Sequence, residues 1–172
     1  CDEVMSENSF VVSSDDVMMG RDAVLHLAEK GCRRIAFIGL GKMKAPFKYS
    51  GAREVGYRMA HGELGRAVDE RLIRQCDVSG DSVQAVLDEL MSLQERPDGI
   101  FCARDSIAAL VVNRLTRCGI KIPGEVLVMG CGSEESAQQA WLPLSNVTQS
   151  YYEIGREAIS LMTARISGKT TV

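Results

Sequence analysis

Five polar residues stand at or just past the ends of apolar, strand-like runs: Ser50, Arg53, Arg104, Asp105 and Gln149. A forked guanidinium beside a carboxylate or amide reads hydroxyls and carboxylates through paired hydrogen bonds, so this set suits the capture of a small polar molecule. Taken singly, Asp105 could equally cap the helix that follows it, and Arg53 could sit on a solvated helix face. Convergence on one edge is what points to binding. No catalytic residues are expected. The sequence contains no Gly-x-Ser-x-Gly elbow, no His-Glu-x-x-His and no P-loop. Its two histidines, His26 and His61, fall on predicted helices away from that edge, as surface or partly buried residues. Gly39-Leu40-Gly41 follows a strand like the start of a dinucleotide fingerprint, but Lys44 stands at the third glycine position, so no cofactor is expected.

The elements that position these residues alternate along the chain. Arg34–Gly39, Gly99–Ala103 and Val126–Gly130 are apolar runs, with weaker strands near Val12 (Phe10–Val12), Val78 (Arg71–Val78) and Val147. Each strand ends in a turn, and helices follow most of them. Helical stretches are expected over Met18–Lys30, ended by Gly31, over Gly51–His61, Ser82–Leu93, the stretch after Asp105, and Tyr151–Ile166. The clearest stripe is Val83, Val86, Leu87, Leu90 and Met91, at helical spacing. Asp15 and Asp16 offer capping side chains to the first helix. This rhythm implies βαβ units and an α/β, doubly wound, mostly parallel sheet flanked by helices, whose strand ends gather along one ligand-binding edge.

At 172 residues and 45% hydrophobic, the chain can bury a core in one domain. A net charge of −3 lacks the basic face of a nucleic-acid binder. The clusters Lys42, Lys44, Lys48 and Arg71, Arg74 read as solvated surface. Six cysteines, at 1, 32, 76, 102, 118 and 131, form no C-x-x-C pair and lie near no histidine in sequence. That argues against zinc, and all six read as small buried hydrophobes suited to a reducing compartment. No run approaches the roughly 20 apolar residues of a membrane span, and no signal peptide is visible. The chain opens on Cys1 rather than methionine, so it reads as cut from something longer.

Several stretches together resemble the effector-binding domain of the lactose/galactose repressor family of bacterial transcription regulators. They are Val12–Asp16 with Gly20, His26–Leu27 with Gly31–Gly39, Ser50–Tyr57, Pro97–Asp105, Gly119–Pro123, Val126–Gly130, and Leu144–Gln149 with Ile154–Gly155. The resemblance implies a two-lobed, periplasmic-binding-protein-like fold with ligand between the lobes. On that scheme residues 1–14 are a remnant of the first lobe, 15–144 a largely complete second lobe, and 145–172 a crossover and a first-lobe helix, the first lobe being mostly missing. Operator DNA would be bound by a headpiece absent from this chain, and the protein would be a cytoplasmic homodimer. The interface would use the helix after Asp105 and Ser136–Leu142, with Trp141 and Leu142 either between subunits or in the core.

Carried over position by position, the resemblance makes Arg53 the sugar-binding arginine and Gln149 and Tyr151 contacts beyond the crossover. Val78 matches a position where an aromatic stacks on the ligand ring. Two departures stand out. Arg104 replaces a small residue or Asn, and Gly132 replaces an aspartate that holds sugar hydroxyls. The effector is therefore expected to be a sugar acid or sugar phosphate rather than a neutral sugar. Otherwise Arg104 pairs with Asp105, Glu134 or Glu135. The alternative function is the sugar-binding protein of a transporter, which shares the fold; the Gly-x-x-x-Pro segment at 119–123 and the free cysteines favour the regulator.

Overall fold

Short apolar runs become strands here because helices cover them on both sides. The computed structural model describes residues 10–41, 49–133 and 145–168. Five parallel strands, β1 (Ile35–Leu40), β2 (Ile73–Cys76), β3 (Gly99–Cys102), β4 (Leu127–Gly132) and β5 (Ser145–Thr148), lie in the order β2-β1-β3-β4-β5. A row of paired residues, Ile73, Phe37, Phe101, Met129 and Ser145, runs across the whole sheet. Every residue of β1 and β3 is buried, as expected of strands packed on both faces.

The helices are α1 (Asp16–Glu29), α2 (Tyr49–Glu63), α3 (Gly80–Met91), α4 (Asp105–Arg117) and α5 (Tyr151–Ile166), with a single 3-10 turn at Glu70–Leu72 among the described residues. Side chains alternate along each strand and divide the core into two. Ile35, Phe37, Phe101 and Met129 pack with α1 and α2; Ala36, Ile38, Leu40, Ile100 and Val128 pack with α3 and α4. The caps follow from residue type. Asp15 accepts the Met18 amide at 3.0 Å, Ser79 accepts that of Ser82 at 3.2 Å, and Gly31 takes φ +99° beyond α1.

The expected parallel sheet flanked by helices is present, every strand pair among the described residues being parallel. Three expectations are corrected. Phe10–Val12 forms no strand: Phe10 and Val11 are exposed, and no described strand lies alongside to supply a ladder. The run at 71–78 forms a strand only over Ile73–Cys76, its start taken by the 3-10 turn that Asp69 caps. Cys118 is exposed, at the cap of α4, whereas Cys32, Cys76, Cys102 and Cys131 are buried; Cys1 lies outside the described residues.

The helix α5 is a different case. It forms over the span expected, but none of its residues is buried, and Met162 and Ile166 are 57% and 81% exposed. No helix among the described residues is long and apolar enough to cross a membrane.

Candidate functional site

The strand order reverses between β1 and β3: from β1 the chain steps out to β2, then returns to β3 on the other side. In an open parallel sheet the crevice at such a reversal, beyond the carboxyl ends of the strands, is where ligands bind. Here two glycines shape what lies beside it. A Cβ on Gly56 would stand 1.9 Å from the Val17 carbonyl oxygen, and one on Gly20 would stand 2.2 Å from that of Arg53. Only bare backbone lets α1 and α2 approach this closely.

That approach buries Arg53, which is 3% exposed, against Asp16 of the first turn of α1. Nε and Nη2 donate to Asp16 Oδ1 at 2.9 and 2.7 Å, and Nη1 donates to the carbonyl of Ala103, just past β3. The guanidinium thus ties α1, α2 and β3 together at the reversal point. Asp16 was legible in sequence only as a capping side chain. The signal for its second role was the pair Gly20 and Gly56, which becomes meaningful once the helices are known to cross. The solvated-face alternative for Arg53 is excluded.

Ser50 is also buried, and its hydroxyl accepts the Leu40 amide at 2.8 Å, closing the end of β1. Arg104 is the N-cap of α4 in extended conformation and makes no side-chain cap bond. It pairs with no carboxylate among the described residues, Asp105 included; Glu134 and Glu135 lie outside them. Asp105 Oδ1 accepts the Ser106 amide at 2.7 Å, while the rest of its carboxylate lies against Gly132. Gly132 in turn accepts the backbone amide of Gln149 at 2.8 Å, and the Tyr151 hydroxyl donates to Gln149 Oε1 at 2.9 Å.

Cys131 sits among these charges. Burial pushes its thiol up to about 11; Arg53 acts against that shift, and Asp16 and Asp105 add to it. Asp105, Gly132 and Gln149 are thus linked in one chain of contacts that continues to Tyr151, while Arg53 and Ser50 are fixed at the ends of β3 and β1. Val78 does not join them: it follows β2, is 47% exposed, and β1 and β3 lie between its strand and β4.

The remaining candidates fall elsewhere. Arg71 and Arg74 are paired with Asp69 and Glu89 on the surface, and Lys42, Lys44, Lys48, Trp141 and Leu142 lie outside the described residues. His61 is more buried than its sequence suggested, at 4% exposed. Its ring lies 4.5 Å from that of Tyr57, and neither nitrogen has a hydrogen-bond partner among the described residues. Desolvation, aided by Arg66, holds its pKa below 6.5. Among the described residues no group of three or more His, Cys, Asp or Glu could hold a metal ion.

A parallel sheet with polar side chains at its reversal point is an arrangement in which α/β proteins hold ligands, and comparison with known proteins gives the family. The family of periplasmic binding protein-like domains matches residues 24–172, and the chain belongs to it. Its homologues are LacI-family transcription regulators rather than transporter binding proteins. The chain is 34% identical over 169 residues to the HTH-type transcriptional regulator CelR of Thermobifida fusca, covering 98% of this chain and 48% of that protein. It is 30% identical over 158 residues to the HTH-type transcriptional repressor CytR of Escherichia coli, covering 92% and 46%. Among solved structures, the Escherichia coli transcriptional repressor ascG superposes with TM-score 0.83 at 25% identity, covering 98% of this chain and 61% of that one. A CelR–cellobiose complex superposes with TM-score 0.75 at 31% identity, covering 91% and 47%. The chain spans about half the length of the curated relatives it matches.

Proposed function

We propose that this chain is the effector-binding part of a bacterial, DNA-binding transcription regulator, and that its effector is a carbohydrate-like molecule bearing an anionic group. The observation that carries the second half is the state of two arginines, Arg53 after β1 and Arg104 after β3. Arg53 is already matched by Asp16, whereas the Arg104 cation is not ion-paired among the described residues. A sugar acid or sugar phosphate supplies an anion for Arg104 and hydroxyls for Asp105, Ser50 and Gln149. A relative solved as a complex with cellobiose supports the carbohydrate class.

In this reading residues 15–144 form the second lobe, residues 1–14 are a remnant of the first, and residues 145–172 are a crossover, which adds Ser145–Thr148 to the second lobe's sheet, followed by a first-lobe helix. The uncovered apolar face of α5 supports that division, as does the Arg165 guanidinium lying 5.2 Å over the Phe10 ring, which joins the two end segments. The protein acts in the cytoplasm as a homodimer through α4 and Ser136–Leu142, and operator DNA is held by a headpiece outside this chain. Effector binds one lobe arrangement better than the other, and that difference biases operator affinity.

Titration calorimetry of the full-length protein against neutral monosaccharides, aldonic and uronic acids, and sugar phosphates tests the effector class. The expected result is binding to an acid or phosphate that weakens with salt. Tight binding of a neutral monosaccharide with no response to the anions refutes it.

A further inference from the structure

Gly132 ends β4 with its side-chain volume already occupied. A Cβ built there would stand 2.4 Å from Asp105 Oδ2, 2.6 Å from its Cγ and 3.0 Å from its Cβ. These distances are inside any tolerable contact, so a side chain at 132 and the observed Asp105 carboxylate exclude each other. Asp105 belongs to a different element, the first turn of α4. Its Oδ1 is engaged by the Ser106 amide at 2.7 Å, and no hydrogen bond to Oδ2 is formed among the described residues. The residue is half-buried and lies beside Gln149, whose backbone amide is bound to the carbonyl of Gly132 itself.

From this geometry we infer that Gly132 and Asp105 form one recognition device: the bare strand end admits a carboxylate carried by α4, and Oδ2 of that carboxylate accepts a hydroxyl of the ligand. The inference rests on the binding edge proposed above and sharpens its ligand. Asp105 and Arg104 are consecutive residues at the start of one helix with no ion pair between them, so one ligand is within reach of both. A ligand that satisfies both carries a hydroxyl close to its anionic group, as aldonic acids and sugar phosphates do. The strand-end residue at 132 then sets specificity without touching the ligand, through the position it allows Asp105.

The test is a double-mutant cycle on binding in the full-length protein, with gluconate and glucose 6-phosphate as probes. Asp105→Asn keeps an oxygen for the Ser106 amide and replaces the acceptor Oδ2 with a donor. Gly132→Ala displaces the carboxylate without changing its chemistry. Each variant is expected to bind the responding probe roughly tenfold to a hundredfold more weakly, the range of a hydrogen bond to a charged group. The double variant is expected to lose little more than either single one, because both changes remove the same contact. Asp105→Asn is expected to leave the melting temperature nearly unchanged. Wild-type affinity in Asp105→Asn, or losses that simply add in the double variant, would overturn the inference while leaving the binding edge intact. If wild type binds neither probe, both fall.

Discussion

The two faces of the sheet bury different kinds of residue. Beneath α3 and α4 the core is aliphatic and thiol: Ile38, Leu40, Ile100 and Cys102 meet Val83, Leu87, Leu90, Ile107 and Val111. Beneath α1 and α2 it is aromatic and polar. Phe37, Tyr57 and Phe101 stack there, with ring centroids of neighbours 5.5 to 5.7 Å apart. All three buried polar or charged residues among those described, Ser50, Arg53 and His61, belong to α2. One face is scaffold, stabilised by non-directional burial. The other carries Ser50 and Arg53, each held by a matched partner, whereas Arg104 and Asp105 stand at the start of α4 on the scaffold side.

The sharpest way to break that contrast is to take the Asp16 carboxylate from Arg53. Asp16→Ala is expected to destabilise the protein by about 3 kcal/mol in denaturant unfolding, since it removes the carboxylate that accepts two hydrogen bonds from a buried guanidinium. A joint Arg53→Met and Asp16→Leu exchange should cost less, because both members of that ion pair are then replaced by apolar side chains. On the scaffold face, Leu87→Ala should cost about 3 kcal/mol through lost burial and a residual cavity, with no dependence on pH between 5 and 8.

His61 offers a smaller, pH-dependent probe of the polar face. Its folded pKa is held below 6.5 by burial, so below that pH the unfolded chain binds a proton that the folded one refuses. Stability should therefore fall as pH drops from 6.5, by at most about 1.4 kcal/mol per unit. His61→Phe should flatten that slope between pH 5 and 6.5 and match or exceed wild-type stability at pH 7. An equal slope in both proteins would remove His61 from the account. The smallest effect belongs to Cys118. Among the thiols at described positions it alone should react with a mild thiol reagent in the native protein, and Cys118→Ser should stay within about 0.5 kcal/mol of wild type.

What was legible in the sequence follows the same division. The scaffold face was readable because apolar periodicity is local: the stripe of α3 and the continuous runs of β1, β3 and β4 carry their own signal. The resemblance supplied Arg53, Gln149, Tyr151 and Gly132; in the structure Gly132 lies against Asp105 and binds the Gln149 amide, while Arg53 is held by Asp16 and Ala103. The partners were not readable. Asp16 meets Arg53 only because Gly20 and Gly56 let two helices touch, a contact between residues far apart in the chain. Phe10–Val12 failed as a strand because strand formation needs a neighbour, which no local pattern reports. Val78 was placed by its position in the chain alone, and only the strand order shows that β1 and β3 stand between its strand and β4.

The passage from β5 to α5 takes only two residues, Gln149 and Ser150. Gln149 is fastened on one side to the end of β4 and on the other to the first residue of the helix. Mechanically this is a short pivot under a long arm. The 16 residues of α5 extend about 24 Å at 1.5 Å per residue, so a tilt of about 5° at the pivot swings the far end by about 2 Å. A molecule that grips Gln149 holds the short side of that lever, where a displacement too small to disturb the sheet is geared up into one large enough for a neighbouring domain to feel.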